Sequence, residues 1–105
     1  VASVEGILSS ISEFTGVAVD RIAGKRRDKA TAGARRMAMY MLREDARLTS
    51  SRVGQALGGK DHSTVLYAQK RFEQLMETDE SIRHQLAAVR DIMIRSRRTG
   101  VSSSN

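Results

Sequence analysis

A glycine pair followed at once by a helix-capping residue is the feature that most constrains how this chain can fold. Gly58 and Gly59 end one short helical segment and can adopt positive φ without steric cost. Asp61 then offers a side-chain oxygen to cap a second segment, in which apolar residues recur at helical spacing. The pattern predicts two helices, over residues 49–57 and 61–76, joined by a tight turn in a helix-turn-helix.

The rest of the chain also has helical periodicity. Further helices are predicted over residues 3–14, 19–23 and about 31–47, and from residue 78 or 79 onward. The apolar face of the first helix comprises Val4, Ile7, Leu8, Ile11 and Phe14. No stretch alternates apolar and polar residues for long enough to indicate a strand, and the chain has no proline. We therefore predict an all-α fold, with one compact domain over residues 1–98 and a frayed tail over 99–105.

Positive charge is concentrated in the first third of the chain. The 18 Lys and Arg residues outnumber the 12 Asp and Glu residues, which gives a net charge of +6. The window from Arg21 to Arg36 alone carries seven basic residues, opposed only by Asp28. Such a cluster attracts a polyanion and releases its counterions on contact, although a solvated, solubilising face is the alternative.

The residues after the Asp61 cap favour DNA as that polyanion. His62, Ser63 and Thr64 carry small or planar hydrogen-bonding groups in the first turn of a helix that is apolar on one side. Such a turn can insert into the major groove, where a hydroxyl can bond a base edge and the Thr64 methyl can touch a thymine methyl. Asp61 can accept a hydrogen bond from a cytosine amino group. The alternatives are a plain N-cap for Asp61 and an ordinary surface histidine for His62.

Other basic residues are placed to hold the DNA backbone. Lys25, Arg26 and Arg27 form a loop that can reach a minor groove, where arginine reads groove width. Arg36, Arg43 and Arg47 fall on one stripe of the predicted long helix and would bind phosphates. The alternative is a row of exposed arginines that pair with neighbours such as Glu44.

Several function classes are disfavoured. The chain has no Cys, so it has neither disulfides nor thiolate metal sites, which fits a reducing compartment. Its two histidines, His62 and His84, lie on different predicted helices without ligand-like spacing. There is no phosphate-cradling GxxxxGK[ST] loop, and three adjacent helix residues such as Asp61-His62-Ser63 cannot form a catalytic relay. No apolar run approaches the roughly 20 residues of a membrane span. We predict no enzyme activity, cofactor, metal or membrane span.

Three segments resemble a known family. The runs KRRDKA (Lys25–Ala30), ARRMAMYMLRE (Ala34–Glu44) and VGQALGGKDHSTVLYAQKRFEQL (Val53–Leu75) are similar to domain IV, the C-terminal DNA-binding domain, of the bacterial chromosomal replication initiator DnaA. The resemblance implies a Trp-repressor-like helical domain that binds short asymmetric origin elements, DnaA boxes, in double-stranded DNA.

The resemblance also implies roles for individual residues. Minor-groove reading falls on Arg27, and base reading in the major groove falls on Asp61, His62, Ser63 and Thr64. The expected backbone contacts are Lys25, Arg26, Arg35, Arg36, Arg43, Lys60, Lys70 and Arg71. The chain departs from the family pattern at Gly33-Ala34, where Arg-Pro is usual, and at Ser50-Ser51, where Leu-Pro is usual.

The resemblance implies a place in a larger protein as well. Whole initiators carry an ATPase domain, so residues 1–14 are expected to be a connector helix toward it, and the non-Met first residue fits a piece of a longer chain. Other initiator protomers would be partners of the intact protein, in the cytoplasm at the nucleoid. The alternatives are a helical module whose basic face meets an acidic protein, and a helix-turn-helix transcription regulator or transposase-type protein.

Overall fold

The computed structural model describes residues 2–103, and side chains for residues 2–97. This part of the chain is all helical, which confirms the predicted fold class. The helices are α1 Val4–Thr15, α2 Val19–Ile22, α3 Lys29–Glu44, α4 Ser50–Ala56, α5 His62–Thr78 and α6 Glu80–Ser103. The Cα radius of gyration is 13.2 Å, as expected of a compact domain of about 100 residues. No helix among the described residues combines the length and apolarity that crossing a membrane requires.

Side-chain caps set where four of the helices begin. Ser3, Asp28, Thr49 and Asp61 each accept a hydrogen bond from a backbone N–H in the first turn of α1, α3, α4 and α5, respectively. The Asp28 cap starts α3 at Lys29, two residues earlier than the sequence predicts. The basic loop between α2 and α3 is therefore shorter than expected.

Helix α3 lies at the centre of the fold and packs against α1, α2, α4 and α5. Its residues 37–42 are all buried, which is typical of a helix surrounded by other elements. The Tyr40 and Phe72 rings, 4.7 Å apart between centroids, join α3 to α5. Helix α6 packs against α1 and also contacts α5. The central helix thereby holds the helix-turn-helix and the basic loop on one scaffold.

The turn of the helix-turn-helix rests on the end of α2. The backbone N–H groups of Gly59 and Lys60 donate to the Gly54 carbonyl at 3.0 and 2.9 Å, which closes the turn. Gly58 and Gly59 both have φ of +83°, as the predicted glycine break requires. A Cβ on Gly58 would lie 2.3 Å from the Ala23 carbonyl oxygen, so this glycine also permits a close backbone approach.

Two sequence expectations are corrected. Helix α3 ends at Glu44, and Arg47 has a left-handed φ of 60°, so the predicted stripe of Arg36, Arg43 and Arg47 is wrong at Arg47. The chain turns there because the Ala46 N–H donates to the Met41 carbonyl and Ala46 enters the core. Phe14 is 41% exposed, because α1 packs through its earlier turns.

The tail over residues 99–105 is predicted to be frayed, and its fraying stays a prediction. Helix α6 continues to Ser103. Gly100 alone does not end the helix, since one glycine costs only about 1 kcal/mol relative to alanine in a helix interior. Residues 104 and 105 lie outside the described residues.

Candidate DNA-binding surface

The first turn of α5 presents polar groups to solvent. Asp61 Oδ2 accepts hydrogen bonds from the Ser63 backbone N–H, at 3.2 Å, and from the Ser63 hydroxyl. His62 Nδ1 lies 3.7 Å from Asp61 Oδ1. The hydrogen bonds from Ser63 lower the pKa of Asp61 below its ordinary value. Asp61 is thus an N-cap and an exposed carboxylate at once, with Oδ1 available as an acceptor.

Apolar residues on the opposite side of α5 pack into the core and so leave the first turn of α5 facing solvent. Val65 is fully buried and Phe72 nearly so, while residues 61–64 are all exposed. The Thr64 hydroxyl has no hydrogen-bond partner among the described residues. The predicted inward and outward faces of α5 are therefore confirmed, and the base-reading candidates point away from the core.

The basic loop between α2 and α3 contains both paired and unpaired cations. Arg26 Nε lies 3.2 Å from Asp28 Oδ1 and forms a salt bridge with it. Lys25 and Arg27 are exposed and make no hydrogen bond or salt bridge within residues 2–97. Of the three loop cations, Lys25 and Arg27 have side chains that can reach a ligand without breaking an internal bond.

Two adjoining depressions bring the loop and α5 together. The first, of about 350 Å³, is lined by Lys25, Arg27, Asp61 and Thr64, together with the turn glycines. The second, of about 250 Å³, lies between α3 and α5, and Arg35 and Thr64 line both depressions. The second depression is lined by Ala32, Arg35, Arg36, Met39, Thr64, Tyr67, Ala68 and Arg71. Residues far apart in sequence therefore share one continuous basic surface.

Five predicted site residues line neither depression: Arg26, Arg43, His62, Ser63 and Lys70. The Arg43 guanidinium donates to Gln69 Oε1 at 3.0 Å and to the Leu48 carbonyl at 3.2 Å. It ties α3 to α5 and to the loop before α4.

Arg35 and Lys60 are also engaged within the protein. The Arg35 guanidinium donates to three backbone carbonyls, and so does the Lys60 ammonium. Desolvation lowers the pKa of both side chains. Both are predicted to bind the DNA backbone. In this structure all three Lys60 donors, and three of the five Arg35 donors, bond to protein carbonyls. Their contacts with phosphate stay a prediction.

Tyr67 is a surface residue to which the sequence reasoning assigned no role. It is 74% exposed and lines the second depression, one turn after Thr64 on α5. Its spacing of three residues from Thr64 is the signal that could have identified it, since such residues lie on one helix face. Within the described residues, no group of three His, Cys, Asp or Glu side chains is arranged to hold a metal ion.

Comparison with known proteins identifies the family. The profile described as "Bacterial dnaA protein helix-turn-helix" matches residues 4–71. The chain is 40% identical over 80 residues to the chromosomal replication initiator protein DnaA of Leifsonia xyli subsp. xyli, covering 76% of this chain and 17% of that protein. The DnaA protein of Thermodesulfovibrio yellowstonii is also 40% identical over 80 residues, covering 76% of this chain and 18% of that protein.

A third relative matches a longer stretch of the chain. The DnaA protein of Chloroflexus aggregans is 34% identical over 89 residues, covering 85% of this chain and 19% of that protein. The chain thus spans less than a fifth of the length of these relatives. The matched residues include α1 to α4, the basic loop and the first turns of α5. The chain therefore belongs to the bacterial DnaA helix-turn-helix family, as a C-terminal, DNA-binding domain of the DnaA type.

Proposed function

We propose that this domain binds double-stranded DNA sequence-specifically at DnaA boxes of a replication origin. The first turn of α5 enters the major groove, and the loop of residues 25–28, which precedes α3, lies at the adjacent minor groove. The observation that carries the proposal is the depression that Arg27 of the loop lines together with Asp61 and Thr64 at the start of α5. A duplex seated on this surface can contact both elements at once.

The hydrogen-bonding state of each first-turn residue suggests which base groups it reads. Asp61 Oδ1 and the lone pairs of the Ser63 hydroxyl are acceptors, so they suit the amino groups of cytosine or adenine. The Thr64 hydroxyl is unpaired and can donate or accept, while its methyl can touch a thymine methyl. His62 is exposed and within reach of a base edge or phosphate.

Unpaired cations around the depressions support the backbone contacts. Lys25, Arg36, Lys70 and Arg71 make no hydrogen bond or salt bridge within residues 2–97. They can neutralise phosphates and position α5 without specifying sequence. The sequence predicts backbone contacts for Arg26, Arg35, Arg43 and Lys60 as well, but each of these already has an internal partner.

The relatives named above are whole replication initiators, and this chain matches less than a fifth of their length. We propose that the domain serves such an initiator in the cytoplasm, at the nucleoid. The ATPase domain and the other protomers would supply origin assembly, and α1 would connect toward the ATPase domain. This domain would itself carry out no catalytic step.

Base substitutions and side-chain substitutions together test the base-reading assignment. His62→Ala or Thr64→Ala should each weaken binding to a DnaA-box duplex by about 1–3 kcal/mol and leave binding to a shuffled duplex nearly unchanged. Lys70→Ala is the matched control on the same helix. It should weaken binding to the DnaA-box duplex and to the shuffled duplex about equally. If the first two variants bind both duplexes like the parent, α5 does not read bases.

The test also separates the alternatives. A protein-interaction module would bind the box and the shuffled duplex with equal affinity. A helix-turn-helix regulator of another kind would prefer some other duplex over the DnaA box, with the same dependence on Thr64. Either result would contradict the proposed origin function.

A further inference from the structure

Two cations hold the basic loop by its backbone. Arg35 donates from Nε to the Ile22 carbonyl at 2.8 Å, from Nη2 to Arg21 at 2.8 Å and from Nη1 to Arg26 at 2.7 Å. Lys60 Nζ donates to the carbonyls of Ala23, Gly24 and Leu57, at 3.0, 2.7 and 2.8 Å. Five carbonyls between residues 21 and 26 are therefore held by these two side chains.

Three of these carbonyls, those of Arg21, Ile22 and Ala23, belong to the end of α2, where a helix leaves acceptors without intrahelical partners. The other two, those of Gly24 and Arg26, lie in the loop. Helix α2 is only four residues long, so almost all of its carbonyls need such partners. A cation at a helix C-terminus is electrostatically favourable as well. Lys60 uses all three ammonium donors on carbonyls, so it has no donor left for a phosphate.

The position of Lys60 in the chain means that its hydrogen bonds also connect the basic loop to α5. Lys60 directly precedes Asp61, the N-cap of α5, and its other carbonyl partner, Leu57, ends α4. Its ammonium therefore connects the entrance of the basic loop to the start of the proposed reading helix. The close approach of Gly58 to the Ala23 carbonyl lies at the same place.

We propose that Arg35 and Lys60 are positioning residues, which fix the Lys25–Arg27 loop relative to α5 rather than neutralise phosphates. This inference rests on the proposed function. A loop fixed in advance loses less conformational freedom on binding, so the guanidinium of Arg27 is presented to the minor groove at little entropic cost. The loop and α5 are then held at a fixed separation before DNA binds.

The experiment compares Lys60→Met with Lys70→Met. Both substitutions remove one positive charge, but Lys70 is exposed and makes no hydrogen bond or salt bridge within residues 2–97. Affinity is measured against salt concentration, for a DnaA-box duplex whose minor-groove flank is A·T or G·C, and for a shuffled duplex. Circular dichroism checks that each variant is folded.

For Lys60→Met we expect about tenfold weaker binding to the A·T-flanked box, a reduced preference for A·T over G·C, and an unchanged salt slope. For Lys70→Met we expect a salt slope smaller by about 0.9 and an unchanged flank preference. If Lys60→Met instead lowers the salt slope by that amount and keeps the flank preference, Lys60 is a phosphate contact and the inference is wrong.

Arg35→Lys gives a second test, which applies even if Lys60→Met does not fold. It keeps the charge, so a phosphate contact would largely survive, but one ammonium cannot replace the planar guanidinium that spans three carbonyls. Backbone ¹⁵N order parameters of residues 25–27 in the free protein should fall in this variant, together with the flank preference. Unchanged order parameters would overturn the positioning role.

The parent protein separates the two possible failures. If the parent binds box and shuffled duplexes alike, the proposed function is wrong. If the parent prefers the box while Lys60→Met behaves like Lys70→Met, the proposed function stands and only the positioning role is wrong.

Discussion

Two adjacent glycines in the helix-turn-helix turn should differ sharply in their tolerance of a methyl group. Gly58 and Gly59 have the same φ of +83°, so alanine at either position incurs the same left-handed backbone cost of about 1–2 kcal/mol. Both substitutions also reduce the conformational entropy of the unfolded chain, and this stabilising effect offsets about 0.4–1 kcal/mol of that backbone cost. On these grounds alone, each variant should lose about 1 kcal/mol of unfolding free energy.

Only Gly58→Ala adds a steric clash. Its Cβ would lie 2.3 Å from the Ala23 carbonyl oxygen, whereas a Cβ on Gly59 meets nothing within 4 Å. The first contact must open by about 1 Å to reach the 3.4 Å of ordinary van der Waals contact. Overpacking of this kind costs about 1–3 kcal/mol, so Gly58→Ala should be less stable than Gly59→Ala by that amount.

Urea denaturation measures this difference directly. The midpoint concentration should fall more for Gly58→Ala than for Gly59→Ala, with similar m-values, because the extra cost lies in the native state. The Ala23 carbonyl also accepts a hydrogen bond from Lys60. Gly58→Ala should therefore disturb this contact and weaken the preference for an A·T over a G·C flank as well. Equal midpoints for the two variants would refute the reasoning that the turn presses on the end of α2.

The remaining predictions concern the scaffold. Gly33→Ala should raise the unfolding free energy by about 0.5–1 kcal/mol in thermal or urea denaturation, because Gly33 lies inside α3 and its Cβ meets nothing within 4 Å; a loss would show that the site is not open. The hydrogen bonds from Thr31 lower the pKa of Asp28 from 3.8 to about 2, so its stabilisation is present above pH 4 and is lost as the pH falls toward 2. Asp28→Asn, which keeps a capping side chain, should flatten the stability profile between pH 4 and 2; an unchanged slope would contradict that assignment. Arg90→Met should lower the unfolding free energy by about 1 kcal/mol, because the bidentate contact between Arg90 and Asp45, at 2.6 and 2.9 Å, is partly exposed. An unchanged urea midpoint would show that this ion pair contributes nothing to stability.

The helix-turn-helix could be predicted because its determinants are local. The glycine pair and the Asp61 cap are adjacent in sequence, and the helical period of α5 fixes which side is buried. The same locality explains why Val65 and Phe72 could be placed in the core and Thr64 on the surface. No knowledge of distant contacts is needed for any of these assignments.

The sequence could not reveal which cationic side chains form hydrogen bonds within the protein. Lys60 and its partner Ala23 are 37 residues apart, and Arg35 and Arg21 are 14 apart, so no periodicity links them. Asp28 was considered only as an opposing charge, and its capping role, which sets the start of α3, was missed. Arg47 left its predicted stripe because the chain turns to bury Ala46, a tertiary effect.

The most direct test of DNA reading by this domain is a titration of the protein with a DnaA-box duplex and a shuffled duplex of equal length, at two salt concentrations. The account predicts that the box is bound tighter by roughly 10³-fold or more, and that added salt weakens both affinities. Equal affinities for the two duplexes, falling together with salt, would show a basic surface that does not read sequence and would contradict the account.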